Sequence, residues 1–237
     1  GFDNINKYYD HNLKKDRLET LKKISFIEKG DFKFIKGDLA NKIDLKKAFN
    51  NIHYNSRINC VINLAAQAGV RYSIINPKKY TLTNITGTIN LLDCLKNKKV
   101  KKIFLSSSSS VYGENKKFPL IEKENLSPIN HYAYTKVINE QTGKYYSENF
   151  NLNIYMLRFF TVYGKWGRPD MFLFKLFKSA IKKNFFELNN NGNHERDFTY
   201  VEDVCEILLK VMKKKINKKY DVYNICSNNP VNIRKII

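Results

Sequence analysis

Apolar positions along the chain switch repeatedly between a period of two and a period near 3.6, as they do where strands alternate with helices. Phe32–Gly37 alternates like a strand. Ile58–Ala66 is a buried strand running into a loop of small residues. Lys102–Ser110 is a third strand, ending in hydroxyls, and Asn153–Phe160 is a fourth. Leu13–Lys23, Ile43–Ile52, Tyr80–Lys96 and His131–Asn149 carry the helical spacing between them. This rhythm predicts an α/β fold with a parallel sheet covered on both faces. After residue 165 it loosens. Met171–Lys183 reads as a helix, Phe185–Leu188 and Asp197–Tyr200 as short strands, and Tyr220–Cys226 as another strand. Val201–Lys213 is amphipathic, with Val201, Val204, Cys205, Leu208, Leu209 and Met212 on one face. Asn232–Ile237 begins a helix. The chain shows no internal repeat and no Pro/Gly linker, so any second domain is expected to be interleaved with the first.

Composition narrows the class. A chain of 237 residues, 43% hydrophobic, has material for one real core with a small appendage, which excludes wholesale disorder. It contains no apolar run long enough to span a bilayer. It opens Gly-Phe-Asp-Asn, with no basic and apolar leader, and a cytoplasmic location is expected. The cysteines at 60, 94, 205 and 226 lack Cys-x-x-Cys spacing, which fits reduced thiols better than a disulfide framework or a zinc ribbon. His11, His53, His131 and His194 lack metal-ligand spacing, so no metal is expected. The net charge of +20 raises the question of nucleic acid, but only seven of the 42 basic residues are Arg, the side chain whose fork suits base edges and phosphates. The lysine runs Lys96–Lys102 and Lys213–Lys219 fall where a helix should end and a strand begin, and cations there suit the helix dipole. They are read as solvated surface.

The candidate chemistry lies in the middle of the chain. Ser106–Ser110 close a strand, Val111-Tyr112-Gly113 follows, and Tyr132-Ala-Tyr-Thr-Lys136 opens a helix. Residues 132 and 136, four apart, share one helical face. An ammonium beside a phenol favours the phenolate, and a phenolate can act as general base on a substrate hydroxyl. A Tyr-x-x-x-Lys pair alone also fits an ordinary surface helix. Its position after a serine-rich strand end in an α/β rhythm favours the chemical reading.

These stretches resemble the extended short-chain dehydrogenase/reductase superfamily of nucleotide-sugar enzymes, and within it the UDP-glucuronate 4-epimerases. The likeness is carried by residues 3–10 with Leu13, Arg17 and Leu18, and by 63–73 (Asn-Leu-Ala-Ala-Gln-Ala-Gly-Val-Arg-Tyr-Ser). Residues 159–171 (Phe-Phe-Thr-Val-Tyr-Gly-Lys-Trp-Gly-Arg-Pro-Asp-Met) and 196–203 complete it. The resemblance implies a Rossmann-like, doubly wound parallel sheet with a small interleaved substrate-binding lobe. Residues 1–165 would form the NAD-binding domain and 166–237 mainly the lobe. It implies NAD as cofactor, with Asp3 and Asn4 at its ribose, Asp38 and Leu39 near its adenine, and Ala65, Ala66, Gln67 and Ser106 lining it. Asn84 would brace the site, Ser108, Tyr132 and Lys136 would be catalytic, and Lys136 would also bind the nicotinamide ribose. Arg71, Ser108, Ser109, Thr161, Arg168 and Arg196 would contact a UDP-sugar, although for the three arginines a surface ion pair is the alternative. Homodimers through Tyr80–Lys96 and His131–Asn149 are implied, with no nucleic-acid or membrane partner.

Two departures matter. Related dehydratases and decarboxylases carry a carboxylate just before the Val-Tyr-Gly stretch, whereas this chain has Ser109 and Ser110. That favours reversible oxidation and reduction at one sugar carbon, UDP-glucuronate to UDP-galacturonate. A UDP-glucose/galactose 4-epimerase, another nucleotide-sugar epimerase or dehydratase, and an inactive NAD-binding protein are the alternatives. The second departure is that only two residues precede Asp3, so the first βα unit with its glycine-rich turn is missing. The 237 residues alone are therefore expected to bind NAD poorly and to be inactive, and the carboxyl end is expected to be short as well.

Overall fold

The computed structural model describes residues 1–50, 58–115 and 118–237. They form two compact units, one of Gly37–Phe160 with Ile207–Ile225, the other of Gly1–Lys36, Thr161–Glu206 and Cys226–Ile237.

The larger unit is built on β3 (Ile58–Asn63), β4 (Val100–Ser108), β5 (Ile154–Phe159) and β8 (Tyr220–Ile225), all parallel and adjacent in that order. The two inner strands carry the core. Ile103, Phe104, Leu105, Ile154, Tyr155, Met156 and Leu157 are all buried, as continuous apolar runs in a covered parallel sheet should be. Register aligns Ser106, Ser107 and Ser108 with Leu157, Arg158 and Phe159, so the serines stand at the carboxyl end of the sheet. Ligands of open α/β sheets bind at that end. Around the strands run α2 (Lys42–Asn50), α3 (Val70–Ile75), α4 (Pro77–Tyr80), α5 (Gly87–Leu95) and α6 (His131–Phe150). A π-helical segment, Thr81–Thr86, links α4 to α5. Leu91, Leu92 and Leu95 of α5 are buried. Gly143 lets α6 approach the sheet closely, since a Cβ there would stand 3.1 Å from the Met156 sulfur.

In the smaller unit β1 (Phe2–Asp3) and β2 (Ile35–Lys36) are parallel, and α1 (His11–Ile27) runs between them in sequence, capped by the Asp10 side chain. A second sheet joins β6 (Thr161–Tyr163) in parallel to β7 (Glu195–Tyr200), and β7 in antiparallel to β9 (Pro230–Asn232). The Asp197 carboxylate accepts from the backbone N–H groups of Ser227 (2.9 Å) and Asn229 (3.1 Å), fastening the segment before β9. From α7 (Phe172–Ile181), Phe172 packs on Phe186 and Phe198. The last helix, α8 (Val201–Lys213), buries Val204 and half-buries Val201, Leu208 and Met212 of the expected stripe, whereas Cys205 and Leu209 are exposed.

Several expected elements differ in detail. Phe185–Leu188 is not a strand: Phe185 is 91% exposed, and no strand among the described residues pairs with the segment. Only Ile35–Lys36 of Phe32–Gly37 is paired. Asn232–Ile237 gives one 3-10 turn, Ile233–Lys235, because Asn232 ends β9. The loop expected after β3 winds into α3, and β6 was not foreseen. The end of the Ile43–Ile52 helix and His53 lie outside the described residues. Lys102, expected as solvated, extends its ammonium to the carbonyls of Val211 (3.3 Å), Met212 (2.6 Å) and Lys214, closing the carboxyl end of α8. None of the helices among the described residues is long and apolar enough to cross a membrane.

Candidate active site

Lys136 is the best-defined part of the site. Its side chain, on α6, is 2% exposed, and Nζ donates to the Ser106 carbonyl (2.8 Å) and to Ser106 Oγ (3.0 Å). Burial pushes the ammonium down to about 8, and the Glu140 carboxylate one turn further along pulls it partly back. One turn earlier, the Tyr132 ring centre lies 5.8 Å from Nζ. The phenol, the ammonium and the strand-end serine therefore share one side of α6, as the spacing predicted.

The helix is held in this orientation from several directions. Asn130 caps it, its side chain accepting from the Ala133 N–H at 2.9 Å. Tyr80, fully buried, packs edge-on against Tyr132 with centroids 6.2 Å apart, and its hydroxyl donates to the carbonyls of Ala68 (2.8 Å) and Gly69. Asn84 sits within the π-helical segment, and such segments often occur at functional sites. Its Oδ1 accepts from the Gln67 N–H (2.7 Å), while Nδ2 donates to the Gln67 carbonyl (3.0 Å) and to Thr135 Oγ1 (3.0 Å). Thr135 in turn donates to the Tyr132 carbonyl at 2.7 Å. Asn84 thus ties the loop after β3 to the helix bearing the Tyr/Lys pair.

Ser108 is 8% exposed. Its hydroxyl donates to Ser110 Oγ (3.0 Å) and accepts from the Ser110 N–H (3.2 Å), capping the 3-10 turn Ser109–Tyr112. Gly113 follows with φ +62°, where a Cβ would collide with the Ser127 carbonyl. The chain turns there on its way to α6. Side chains at 109 and 110 are hydroxyls, with no carboxylate at either position.

Other sequence-predicted residues have varied settings. Ala65 and Ala66 are half-buried in the loop after β3, with the Ala65 N–H bonded to Asn63 Oδ1 (3.2 Å). Gln67 is 2% exposed, yet its Nε2 has no hydrogen-bond partner. An orphaned buried donor in this loop fits a bound polar group such as a dinucleotide. Asp38 makes a turn, accepting from the Ala40 N–H at 2.9 Å, while Leu39 is core, packed against Gly87. Arg71 is exposed on α3. In the smaller unit, Asp3 ends β1 and its Oδ1 accepts from the Ile5 N–H (2.6 Å), and Asn4 makes the next such turn onto Asn6 (3.1 Å). Thr161 is half-buried in β6 and Arg196 exposed on β7. Arg168 is engaged within the chain: Nε and Nη2 donate to the two Asp170 oxygens at 2.9 and 2.8 Å. The ion pair weighed for Arg168 from the sequence is thus present, although its partner is adjacent and half-buried. No group of three or more His, Cys, Asp or Glu among the described residues is placed to hold a metal.

The sequence reading missed a buried pair, Glu140 on α6 and Arg158 on β5, joined at 2.8 Å. An Arg within the apolar run Ile-Tyr-Met-Leu-Arg-Phe was the available signal, because a charge on a covered strand requires a partner. It also missed Arg17, which was noted only as part of the resemblance. Its guanidinium donates to Tyr9 Oη (2.6 Å) and to the carbonyls of Trp166 and Gly167, tying α1 to the loop after β6.

Comparison with known proteins agrees with this arrangement. Residues 6–226 match the model of the NAD dependent epimerase/dehydratase family. Protein CapI of Staphylococcus aureus is 42% identical over the whole chain, which covers 73% of that protein. The UDP-glucuronate 4-epimerase of Thermodesulfobacterium geofontis is 38% identical, again over the whole chain and 70% of its own length. The crystal structure of UDP-glucuronic acid 4-epimerase from Bacillus cereus, in complex with UDP-glucuronic acid and NAD, superposes with a TM-score of 0.89. It is 32% identical, with all of this chain and 72% of that one covered. The α/β architecture is accordingly of the Rossmann type, and the chain belongs to the NAD dependent epimerase/dehydratase family.

Proposed function

We propose that the protein is an isomerase that inverts C4 of a nucleotide sugar, with UDP-glucuronate and UDP-galacturonate as the substrate pair and NAD as the retained cofactor. The observation that carries this reading is the meeting of Tyr132, Lys136 and Ser106 near the carboxyl edge of the parallel sheet, with Ser108 two residues further along the same strand. The likeness to UDP-glucuronate 4-epimerases over the whole chain supports the choice of sugar.

The roles follow from chemistry. NAD, when bound, supplies a reversible acceptor for the C4 hydride. Tyr132, as phenolate, takes the C4 hydroxyl proton, and once the 4-keto sugar has turned its opposite face to the cofactor it returns that proton to the C4 oxygen. Lys136 holds a positive charge one turn away, which favours that phenolate, and its remaining N–H is the donor for the nicotinamide ribose. Ser108 steadies the substrate oxygen. Asp3 and Asn4 hold the adenosine ribose, Asp38 and Leu39 lie by the adenine, and Ala65, Ala66, Gln67, Asn84 and Ser106 line the remainder. We assign cofactor binding mainly to residues 1–165 and substrate binding mainly to 166–237, with Arg71, Ser109, Thr161, Arg168 and Arg196 at the UDP-sugar. Hydroxyls at 109 and 110 favour simple oxidation and reduction over elimination or carbon–carbon cleavage.

A second reading, a UDP-glucose/galactose 4-epimerase, draws on Arg168. Its bidentate pair with Asp170 occupies the fork that would otherwise clasp a sugar carboxylate. Comparing turnover of UDP-glucuronate with that of UDP-glucose separates the two readings: a strong preference for the uronate supports the first, and a preference for the neutral sugar replaces it with the second.

The partner is assigned as a second copy of this chain. Tyr134, Ile138 and Tyr145 lie exposed along one face of α6, and Leu82 is exposed on the neighbouring π-helical segment. The spacings of four and seven put Tyr134, Ile138 and Tyr145 on one helical face, interrupted by Gln141 and Thr142, and a homodimer would cover that face.

A further inference from the structure

The Glu140–Arg158 pair is placed to act on the Tyr/Lys couple. Glu140 follows Lys136 by one turn of α6, and both charged side chains of the pair are 3% exposed. The carboxylate is fully engaged. Oε1 accepts from Ser107 Oγ (2.5 Å) and Arg158 Nε (2.9 Å), and Oε2 accepts from Arg158 Nη2 (2.8 Å). Ser107 is the immediate neighbour of Ser106, which accepts from Lys136. Arg158 Nη1 donates to Tyr112 Oη (2.8 Å) and to the Glu122 carbonyl (3.1 Å), and Tyr112 donates to Asn224 Oδ1 (2.7 Å). One buried network therefore joins the catalytic helix, the serine strand, β5, β8 and the segment that leads from the serines towards Tyr132.

Stability alone does not account for such a pair, since apolar residues of the same shape commonly serve a core as well. Other titratable and charged groups around this region include Tyr132 and His131 on α6, Tyr80 on α4, Tyr112 on the 3-10 turn, Glu122 in the segment before α6, and Tyr220 and Asp221 on β8. Tyr220 donates to the Glu140 carbonyl at 3.0 Å. Burial raises Tyr112 and Tyr220, so both are neutral near pH 7. Burial also works against the charge on Arg158, but the Glu140 hydrogen bonds and charge outweigh it.

We propose that Glu140 is the positioning residue of the acid/base couple: its carboxylate keeps Lys136 charged beneath Tyr132, and Arg158 and Ser107 fix that carboxylate against the serine strand. The inference rests on the reading of Tyr132 as the acid/base. It is tested by titrating the Tyr132 phenol in the full-length protein with NAD, by NMR of carbon-13 tyrosine, with Y132F identifying the signal. Glu140→Gln alone would strand a buried guanidinium, so the main variant is E140Q with R158M, two neutral residues of similar shape. The expected result is a retained melting transition and a Tyr132 midpoint raised by about one pH unit or more, with the rising limb of kcat against pH moving alongside it. E140D keeps the charge and should keep the midpoint even where it lowers Tm. An unchanged midpoint in the folded double variant, or an E140D midpoint displaced as far as the neutral variant's, overturns the proposal and leaves the pair purely structural. Should the double variant not fold, E140D is read against wild type: a midpoint raised by about one pH unit or more overturns the proposal, and one unchanged from wild type supports it. The titration uses no sugar, so a wild-type protein inert towards UDP-sugars would defeat the functional reading without touching this one.

Discussion

Lys136 illustrates how one buried charge links function to stability. An ammonium at 2% exposure, with its ordinary value of 10.5 pushed down to about 8, is destabilising in the folded chain. Between those two values the unfolded chain binds more protons than the folded one, so stability contributed at this site rises with pH across that window. Below pH 8 both states are protonated and the cost is fully present. Replacing Lys136 by Met removes the effect. Unfolding free energies measured by urea titration at a series of pH values should therefore show wild type gaining about 3 kcal/mol on K136M between pH 8 and 10.5. A difference that stays flat with pH would mean the ammonium is not buried as described. Tyr132 is the residue to which the acid/base role is assigned. Y132F should lose about 10²–10⁴-fold in kcat, the usual worth of a positioned acid/base, while its circular dichroism and Tm stay close to wild type. At this scale the sequence was informative for 132 and 136, because helical spacing alone puts them on one face. It was silent on Glu140 and Arg158, whose pairing depends on a helix and a strand meeting across sheet packing that no local pattern encodes.

The elements that aim these residues were legible to differing degrees. Long periodic stretches such as His131–Phe150 and the apolar strands β4 and β5 were foreseen, since their cores follow directly from their patterns. Short elements were not. β6 and β9, of three residues each, exist only because β7 offers them partners, and the Phe185–Leu188 alternation finds no such partner. The π-helical turn at Thr81–Thr86 was equally hidden, because its pattern is continuous with the helices on either side. It places Asn84 against both the Gln67 backbone and Thr135. Asn84→Ala strands a buried N–H and a buried carbonyl, each costing about 1–3 kcal/mol. A shift of the urea midpoint equivalent to about 3 kcal/mol is expected, together with a fall in kcat; an unchanged midpoint would remove Asn84 from its bracing role.

For the whole molecule, the charge of +20 proved uninformative about activity. One of its lysines, Lys102, closes a helix end, and the stretches that carry the family resemblance lie after β1, β3 and β5 and along β7 into α8. Assembly is the property that belongs at this scale. The stripe of Tyr134, Ile138 and Tyr145 should be covered by a second copy, so Ile138→Glu is expected to convert a dimer to a monomer in sedimentation equilibrium without lowering Tm by more than about 1 kcal/mol equivalent. A wild-type protein that sediments as a monomer would rule out the proposed interface. The smaller unit bears Thr161, Arg168 and Arg196, three of the five side chains assigned to the sugar nucleotide alongside Ser108, and preference between a uronate and a neutral hexose is the question their chemistry raises.

That question is also the most direct test of the account. Full-length protein incubated with UDP-glucuronate and NAD, with the sugar followed by proton NMR, should yield UDP-galacturonate at equilibrium with its epimer, with no net NADH and no carbon dioxide. Unchanged UDP-glucuronate under conditions where UDP-glucose is epimerised, or release of a UDP-pentose with carbon dioxide, would contradict it.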